Sequence, residues 1–356
     1  MHATNTVTNM TSPLGYDTPV VQGWLAQHVP HLEPPLHWTR LEGGHSNLTC
    51  LIEDSAGQKV VIRRPPLGVL LPKAHDMGRE WALISALGPT AVPVASALAF
   101  CEDITVTGAH FYVMGHVPGH ALNSAQDTAL YVPLAERRAL AHSYIDILAA
   151  LHALDPDTVG LGDLGKKDGY ILRQLSTWYR SWNASIEGAK FDDPRAHSLQ
   201  AFFAAHVPLQ GPARIVHGDY TLRNCLTGAN CRIAAVLDWE ICALGDPMAD
   251  LGYAMNHWAE AGDEPSVRGS LATDIEGFPT RADMVARYAA KTGRDVSKLD
   301  YYVGFNHWKS AAILHGVYAR YLQGKKSSEG LDLAALRQGI TMHLDHAQTA
   351  VSRLDC

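Results

Sequence analysis

The chain lacks any apolar run long enough to cross a bilayer, and its first 15 residues are polar and rich in Thr and Asn. Neither a membrane span nor a secretory leader is therefore expected. Cysteine chemistry is also sparse. Cys50, Cys101, Cys225, Cys231, Cys242 and Cys356 show no Cys-x-x-Cys spacing and no disulfide framework, which points to a cytoplasmic setting. Excess positive charge is missing too: 29 Lys and Arg face 36 Asp and Glu, and a net charge of −7 argues against a nucleic-acid partner. The 19 histidines are scattered, with no His-Glu-x-x-His and no cluster suggesting zinc. No internal repeat or low-complexity segment is seen, and 356 residues suffice for two units with separate cores.

What the chain does contain is a dense polar run, Ile215-Val-His-Gly-Asp-Tyr-Thr-Leu-Arg-Asn224, followed by Ala235-Val-Leu-Asp-Trp-Glu240. Gly218 allows a tight bend that exposes the carboxylate of Asp219. Segments 225–227 and 232–237 read as strands joined by a Gly/Asn turn, and such a hairpin brings Asn224 close to Asp238. One carboxylate for a hydroxyl proton and two oxygen ligands for magnesium are what metal-assisted phosphoryl transfer requires. Taken singly, His-Gly-Asp is a common turn and Asp238 could cap a helix; the order and spacing of the three carry the reading.

The run His-Gly-Asp-x-x-x-x-Asn, then Leu237-Asp-Trp-Glu240, then Gly245-Asp-Pro-Met-Ala-Asp-Leu251, resembles the aminoglycoside phosphotransferase and choline kinase branch of the protein-kinase-like fold. That resemblance implies an α+β, two-lobed architecture: a small antiparallel-sheet N-lobe with one helix, and a larger, mainly helical C-lobe. Expected boundaries are a flexible tail at 1–15, a nucleotide-binding lobe at 16–114, a hinge at 115–119 and the catalytic lobe at 120–356. Asp219 would be catalytic, Asn224 and Asp238 would bind Mg2+, and ATP would be the co-substrate. His217 would hold the loop, and Asp250 would brace its backbone from a helix start.

The nucleotide parts follow in order. Segments 36–41 and 48–53 read as strands around Glu42-Gly-Gly-His-Ser-Asn47, where Gly43, Gly44, Ser46 and Asn47 would approach phosphate oxygens. In strand 60–63, alternation places Val61 and Arg63 on one face, toward the purine and the phosphates respectively. Arginine stands where kinases carry lysine; it can clamp phosphate but not reproduce lysine's reach, with Lys59 and Arg64 as fallbacks. Glu80, on a helix at 74–87, would pair with Arg63, although Arg79 offers a rival geometry. Met114, Gly115 and Val117 would contact adenine at the hinge.

Helices are expected at 134–152, 169–182, 248–258, 280–291, 301–322 and 333–354. Acceptor-side candidates are Trp178, Trp182, Tyr253, His257, Trp258, His307 and Trp308, with Glu260, Asp263 and Glu264; most such aromatics are core residues. A dense acidic wall for polycations is not evident. A narrower resemblance rests on Arg63-Arg-Pro-Pro66, Leu71 to Glu80, Gly160 to Gly165 and Gly169 to Gln174. These look like the branch fused to, or encoded beside, acyl-CoA dehydrogenases. It implies a hydroxyacyl-CoA or hydroxy acid as acceptor and a functional link to such a dehydrogenase. Aminoglycoside or choline-type acceptors, a non-catalytic nucleotide-binding module and a metal-dependent hydrolase are the competing readings.

Overall fold

Every second side chain of Leu48–Glu53 is buried in the computed structural model of the chain, the period of a strand with one face on a core. The structure describes residues 13–41, 47–68, 75–263, 269–324 and 332–354. They fall into two compact units, Met1–Val117 and Pro118–Cys356.

The first unit runs α1 (Thr18–His28), β1 (His37–Arg40), β2 (Leu48–Glu53), β3 (Lys59–Arg64), α2 (Met77–Leu87), β4 (Ala97–Cys101), the one-turn α3 (Ile104–Thr107) and β5 (Phe111–Gly115). The strands form one antiparallel sheet in the order β1-β2-β3-β5-β4. Its core joins Val21 and Leu25 of α1 to Ile52, Val60, Ile62, Phe111 and Val113. Expected boundaries shift by a few residues. The helix sought from 74 begins at Met77, because Asp76 caps it by accepting the Arg79 N–H at 3.1 Å, and His75 is left-handed with φ 57°. Of the segment expected as a tail, residues 1–12 lie outside the described residues, while Pro13 and Gly15 carbonyls accept hydrogen bonds from the Tyr16 N–H and from Arg64.

The second unit begins with β6 (His120–Ala121), α4 (Ala125–Tyr131) and α5 (Leu134–Ala153), followed by α6 (Tyr170–Ala189) and α7 (Pro194–Ala205). β7 (Arg214–Val216), β8 (Cys225–Thr227), β9 (Ile233–Val236) and β10 (Ala243–Gly245) follow, then α8 (Pro247–Asn256), α9 (Arg281–Thr292), α10 (Leu299–Leu322) and α11 (Leu333–Val351). Short strands pair as β7 with β10 and as β6-β8-β9, so the polar run sits where two small sheets meet helices. α10 packs across α6, α8 and α11. Its approach to α8 depends on Gly252, where a Cβ would come within 2.8 Å of the Tyr302 backbone. α6 continues to Ala189, past the expected end at 182, and α4 and α7 were not expected from periodicity. No described helix is long and apolar enough to cross a membrane.

Candidate active site

β7 delivers the chain into His217, Gly218 and Asp219, and Gly218 adopts φ +87° to make the bend. A side chain there would be strained by the backbone and would also crowd Ile241 at 3.2 Å. The bend is fastened from the first turn of α8. Asp250, 1% exposed, accepts the backbone N–H groups of His217 at 2.6 Å and Gly218 at 2.8 Å. His152 contacts the same carboxylate at 3.4 Å. His217 is fully buried; its Nε2 lies 2.8 Å from the Leu237 carbonyl, and its Nδ1 accepts the Asp219 N–H at 3.2 Å. These contacts fit the neutral tautomer with the proton on Nε2.

Asp219 itself keeps some access to solvent, with 24% of its side chain exposed. Asn224 Nδ2 donates to its Oδ2 at 2.8 Å and to its backbone carbonyl at 2.9 Å, while Arg223 Nη2 approaches Oδ1 at 3.3 Å. Burial works against the charge, but the Arg223 guanidinium, the Tyr253 hydroxyl and the Asn224 carboxamide outweigh it, so the carboxyl is held below the usual carboxylate range. A proton acceptor ionised throughout the physiological range results.

Asn224 closes a 3-10 turn, Leu222–Asn224, and opens β8. Its backbone carbonyl accepts the Leu237 N–H at 2.8 Å, which brings Asn224 beside the residue preceding Asp238. Asp238 stands at φ 62°, a left-handed conformation that non-glycine residues adopt sparingly and that marks a site held by its surroundings. Because the Asn224 amide nitrogen is occupied by Asp219, the carboxamide oxygen Oδ1 is the atom left to bind a ligand. A carboxamide oxygen and a carboxylate are hard donors that fit Mg2+, which takes only one or two protein ligands beside phosphate oxygens and water. Among the described residues no group of three or more His, Cys, Asp and Glu side chains is arranged to hold a metal by itself.

In the first unit, Glu80 is 3% exposed and gathers three partners. Arg63 Nε pairs with it at 2.9 Å, the Asn47 amide donates at 3.1 Å and the Tyr112 hydroxyl at 2.9 Å. Arg63 is a cation on Glu80, and Tyr112 reaches it because β5 places it directly opposite Arg63. Val61 faces Met114 across the same pair of strands. The Gly115 N–H is taken by the Ser96 carbonyl at 2.8 Å, and Val117 ends the unit. Gly43, Gly44 and Ser46 lie outside the described residues. The fallback cations are committed elsewhere: Lys59 meets Glu53 at 3.5 Å, and Arg64, 4% exposed, donates to the carbonyls of Gly15, Pro65 and Thr107.

The family model described as "Phosphotransferase enzyme family" matches residues 37–284 of this chain. The chain belongs to that family. Rat acyl-CoA dehydrogenase family member 11 (Rattus norvegicus) is 33% identical over 329 residues, covering 90% of this chain and 42% of the relative. Mouse family member 10 (Mus musculus) is 32% identical over 302 residues, covering 84% of this chain and 28% of the relative. The chain therefore spans less than half the length of these relatives. Among solved structures, a Ralstonia eutropha protein assigned to the aminoglycoside phosphotransferases superposes with a TM-score of 0.79 at 32% identity, covering 94% of this chain and 99% of the other. The macrolide 2'-phosphotransferase of Brachybacterium faecium gives 0.57 at 19% identity with 94% and 99% coverage, a likeness of fold alone. The α+β, kinase-like architecture is shared: an antiparallel sheet in the first unit and a mainly helical remainder.

Of the aromatic candidates for the acceptor side, Trp182, Trp258 and Trp308 are each 1% exposed and donate to Asp192, Pro279 and Ala196, so they are core. Glu260 and Asp263 are both bound by Arg281. Glu264 lies outside the described residues. Tyr253 remains at Asp219. Two further residues, Arg223 on this carboxylate and Lys309 beside the Tyr253 ring, carried no motif signal. Arg223 lies inside the run but outside its recognised positions, and Lys309 of α10 is 90 residues away from Asp219 in sequence. Only a helix-packing pattern could have found Lys309.

Proposed function

We propose that the protein is a cytoplasmic small-molecule kinase that moves the γ-phosphoryl group of MgATP to an alcohol hydroxyl, with a hydroxy acid or hydroxyacyl-CoA as acceptor. The observation that carries this reading is Asp219: partly exposed, held ionised, and fixed to Asn224, whose carbonyl accepts the N–H of the residue before Asp238. The acceptor oxygen forms a bond to the γ-phosphorus, its proton passes to Asp219, the bond to the β-phosphate oxygen breaks, and ADP leaves. Mg2+, when bound by Asn224 and Asp238, would neutralise phosphate charge. Arg63, oriented by Glu80, serves the nucleotide phosphates, while Val61, Met114, Gly115 and Val117 serve adenine; Gly43, Gly44, Ser46 and Asn47 belong to the phosphate loop. The names of the relatives support a role beside an acyl-CoA dehydrogenase.

An aminoglycoside or choline-type acceptor is the rival, and the engagement of Glu260 and Asp263 by Arg281 speaks against a free acidic wall for it. The test is an acceptor screen with MgATP, read by mass spectrometry as a gain of about 80 Da for one phosphoryl group. Phosphorylation of hydroxy acids or hydroxyacyl-CoAs supports the reading. Transfer confined to aminoglycosides or choline replaces the acceptor, and MgATP binding without transfer to any hydroxyl defeats catalysis.

A further inference from the structure

Lys309 is 5% exposed, and its ammonium stands 5.6 Å from the centroid of the Tyr253 ring. Among the described residues it makes no hydrogen bond and no ion pair. An ammonium has three donors, and one largely withdrawn from water with no fixed protein hydrogen bond favours an oxygen brought to it by a ligand. Burial accordingly holds its pKa below the usual lysine range, against the pull of Asp250 and Asp219. Neither carboxylate is hydrogen-bonded to it. Asp250 accepts the His217 and Gly218 N–H groups, and Asp219 holds Asn224 and Arg223. Helix packing fixes the position, since Asn306, one turn earlier, donates to the Ala249 carbonyl of α8 at 2.8 Å. Tyr253 links the two groups, its hydroxyl on Asp219 and its ring facing Lys309. The unused ammonium is therefore one tyrosine ring away from the proton acceptor.

We propose that Lys309 determines acceptor specificity by binding a carboxyl or carbonyl oxygen that the acceptor carries near its reacting hydroxyl. The inference rests on the kinase reading above and deepens it. A fixed buried cation favours an oxygen-rich acceptor and repels a polycation. An acceptor lacking that oxygen leaves the ammonium largely desolvated and without a fixed partner, the situation in which polar sites discriminate most strongly.

The test compares the full chain with Lys309→Met and Lys309→Arg, supplied with MgATP and, separately, 3-hydroxybutyrate, its CoA thioester, butane-1,3-diol or kanamycin. Initial transfer rates are read by mass, MgADP affinity by calorimetry and folding by the unfolding midpoint. The wild type is expected to favour the acid or the thioester over the diol by at least about tenfold, the range of one charged hydrogen bond. Preference for the acid points to a carboxylate and preference for the thioester to a carbonyl. Lys309→Met, similar in volume and without a buried charge, should collapse that ratio with MgADP affinity retained, and Lys309→Arg should restore part of it. An unchanged ratio in Lys309→Met overturns the Lys309 proposal and leaves the kinase reading standing, as does a wild type that prefers the diol or kanamycin. A wild type that binds MgADP yet phosphorylates none of the four, nor any other hydroxyl in the acceptor screen, overturns both.

Discussion

Glu80 in the first unit and Asp219 in the second are both carboxylates with several polar partners, yet their surroundings differ in kind. Glu80 is 3% exposed, with Asn47, Arg63 and Tyr112 converging from three strands or their ends. Asp219 keeps 24% of its side chain exposed, its fixed protein partners being Asn224, Arg223 and Tyr253. A carboxylate enclosed by protein donors is a brace, because each oxygen already has its hydrogen bonds. One that stays ionised with an open face is a reagent. Asp250 sharpens the contrast within the second unit: two backbone N–H groups and His152 make it a fastening for the loop that carries Asp219.

Asp219→Asn should break the comparison most severely. It keeps the shape of the side chain but removes the proton acceptor, so transfer should fall about a thousandfold, within the range of general-base effects, while calorimetry still detects MgADP. Asp250→Ala should act on stability instead. Orphaning two buried N–H groups should cost about 3 kcal/mol, read by urea unfolding, and transfer should fall as the loop loosens. Glu80→Gln keeps one acceptor oxygen, turns the other into a donor that faces donors and removes the charge opposite Arg63, so nucleotide affinity should weaken about tenfold and the unfolding midpoint should fall as well. The smallest effect is a displacement along the pH axis. Arg223→Met removes the cation that helps hold the Asp219 carboxyl low, so its pKa rises and the acid limb of the transfer profile moves to higher pH. The linked stability has the same sign: the depressed carboxyl contributes above its unfolded pKa, the contribution fades as pH falls through the folded value, and the variant loses that increment. A pH–rate profile unchanged in Arg223→Met would remove Asp219 from the role of titrating base.

Much of the first unit's plan was legible because strand period and order are local properties. Val61 and Arg63 share a face, and a helix carrying Glu80 follows. What local reading left open was which cation Glu80 takes. Tyr112 joined the node only through the β3–β5 register, which pairs it with Arg63, 49 residues earlier in the chain. Asn47 was expected among phosphate-loop residues, and the fold places its amide nitrogen on Glu80. In the second unit, α4 escaped notice because its seven residues are too few to show a helical period, although Ser124 and Asp127 form its capping box. Of the four tryptophans named on the acceptor side, Trp182, Trp258 and Trp308 are core and Trp178 is half-buried, since a large aromatic near a site and one beneath it look alike in a sequence.

By itself the sequence determined the chemistry available in the polar run: a bend at Gly218, a carboxylate after it, a carboxamide five residues on and a second carboxylate past a short hairpin. Those groups are tied by local chain geometry, and spacing alone brings them near one another. Tertiary structure decided how they are charged and what surrounds them. Asp250 reaches back 33 residues to fasten the bend, and α10 sets Lys309 against Tyr253, 56 residues earlier in the chain. Such placements follow from helix packing and burial, which depend on the whole unit closing around its core and leave no periodic mark on the residues themselves.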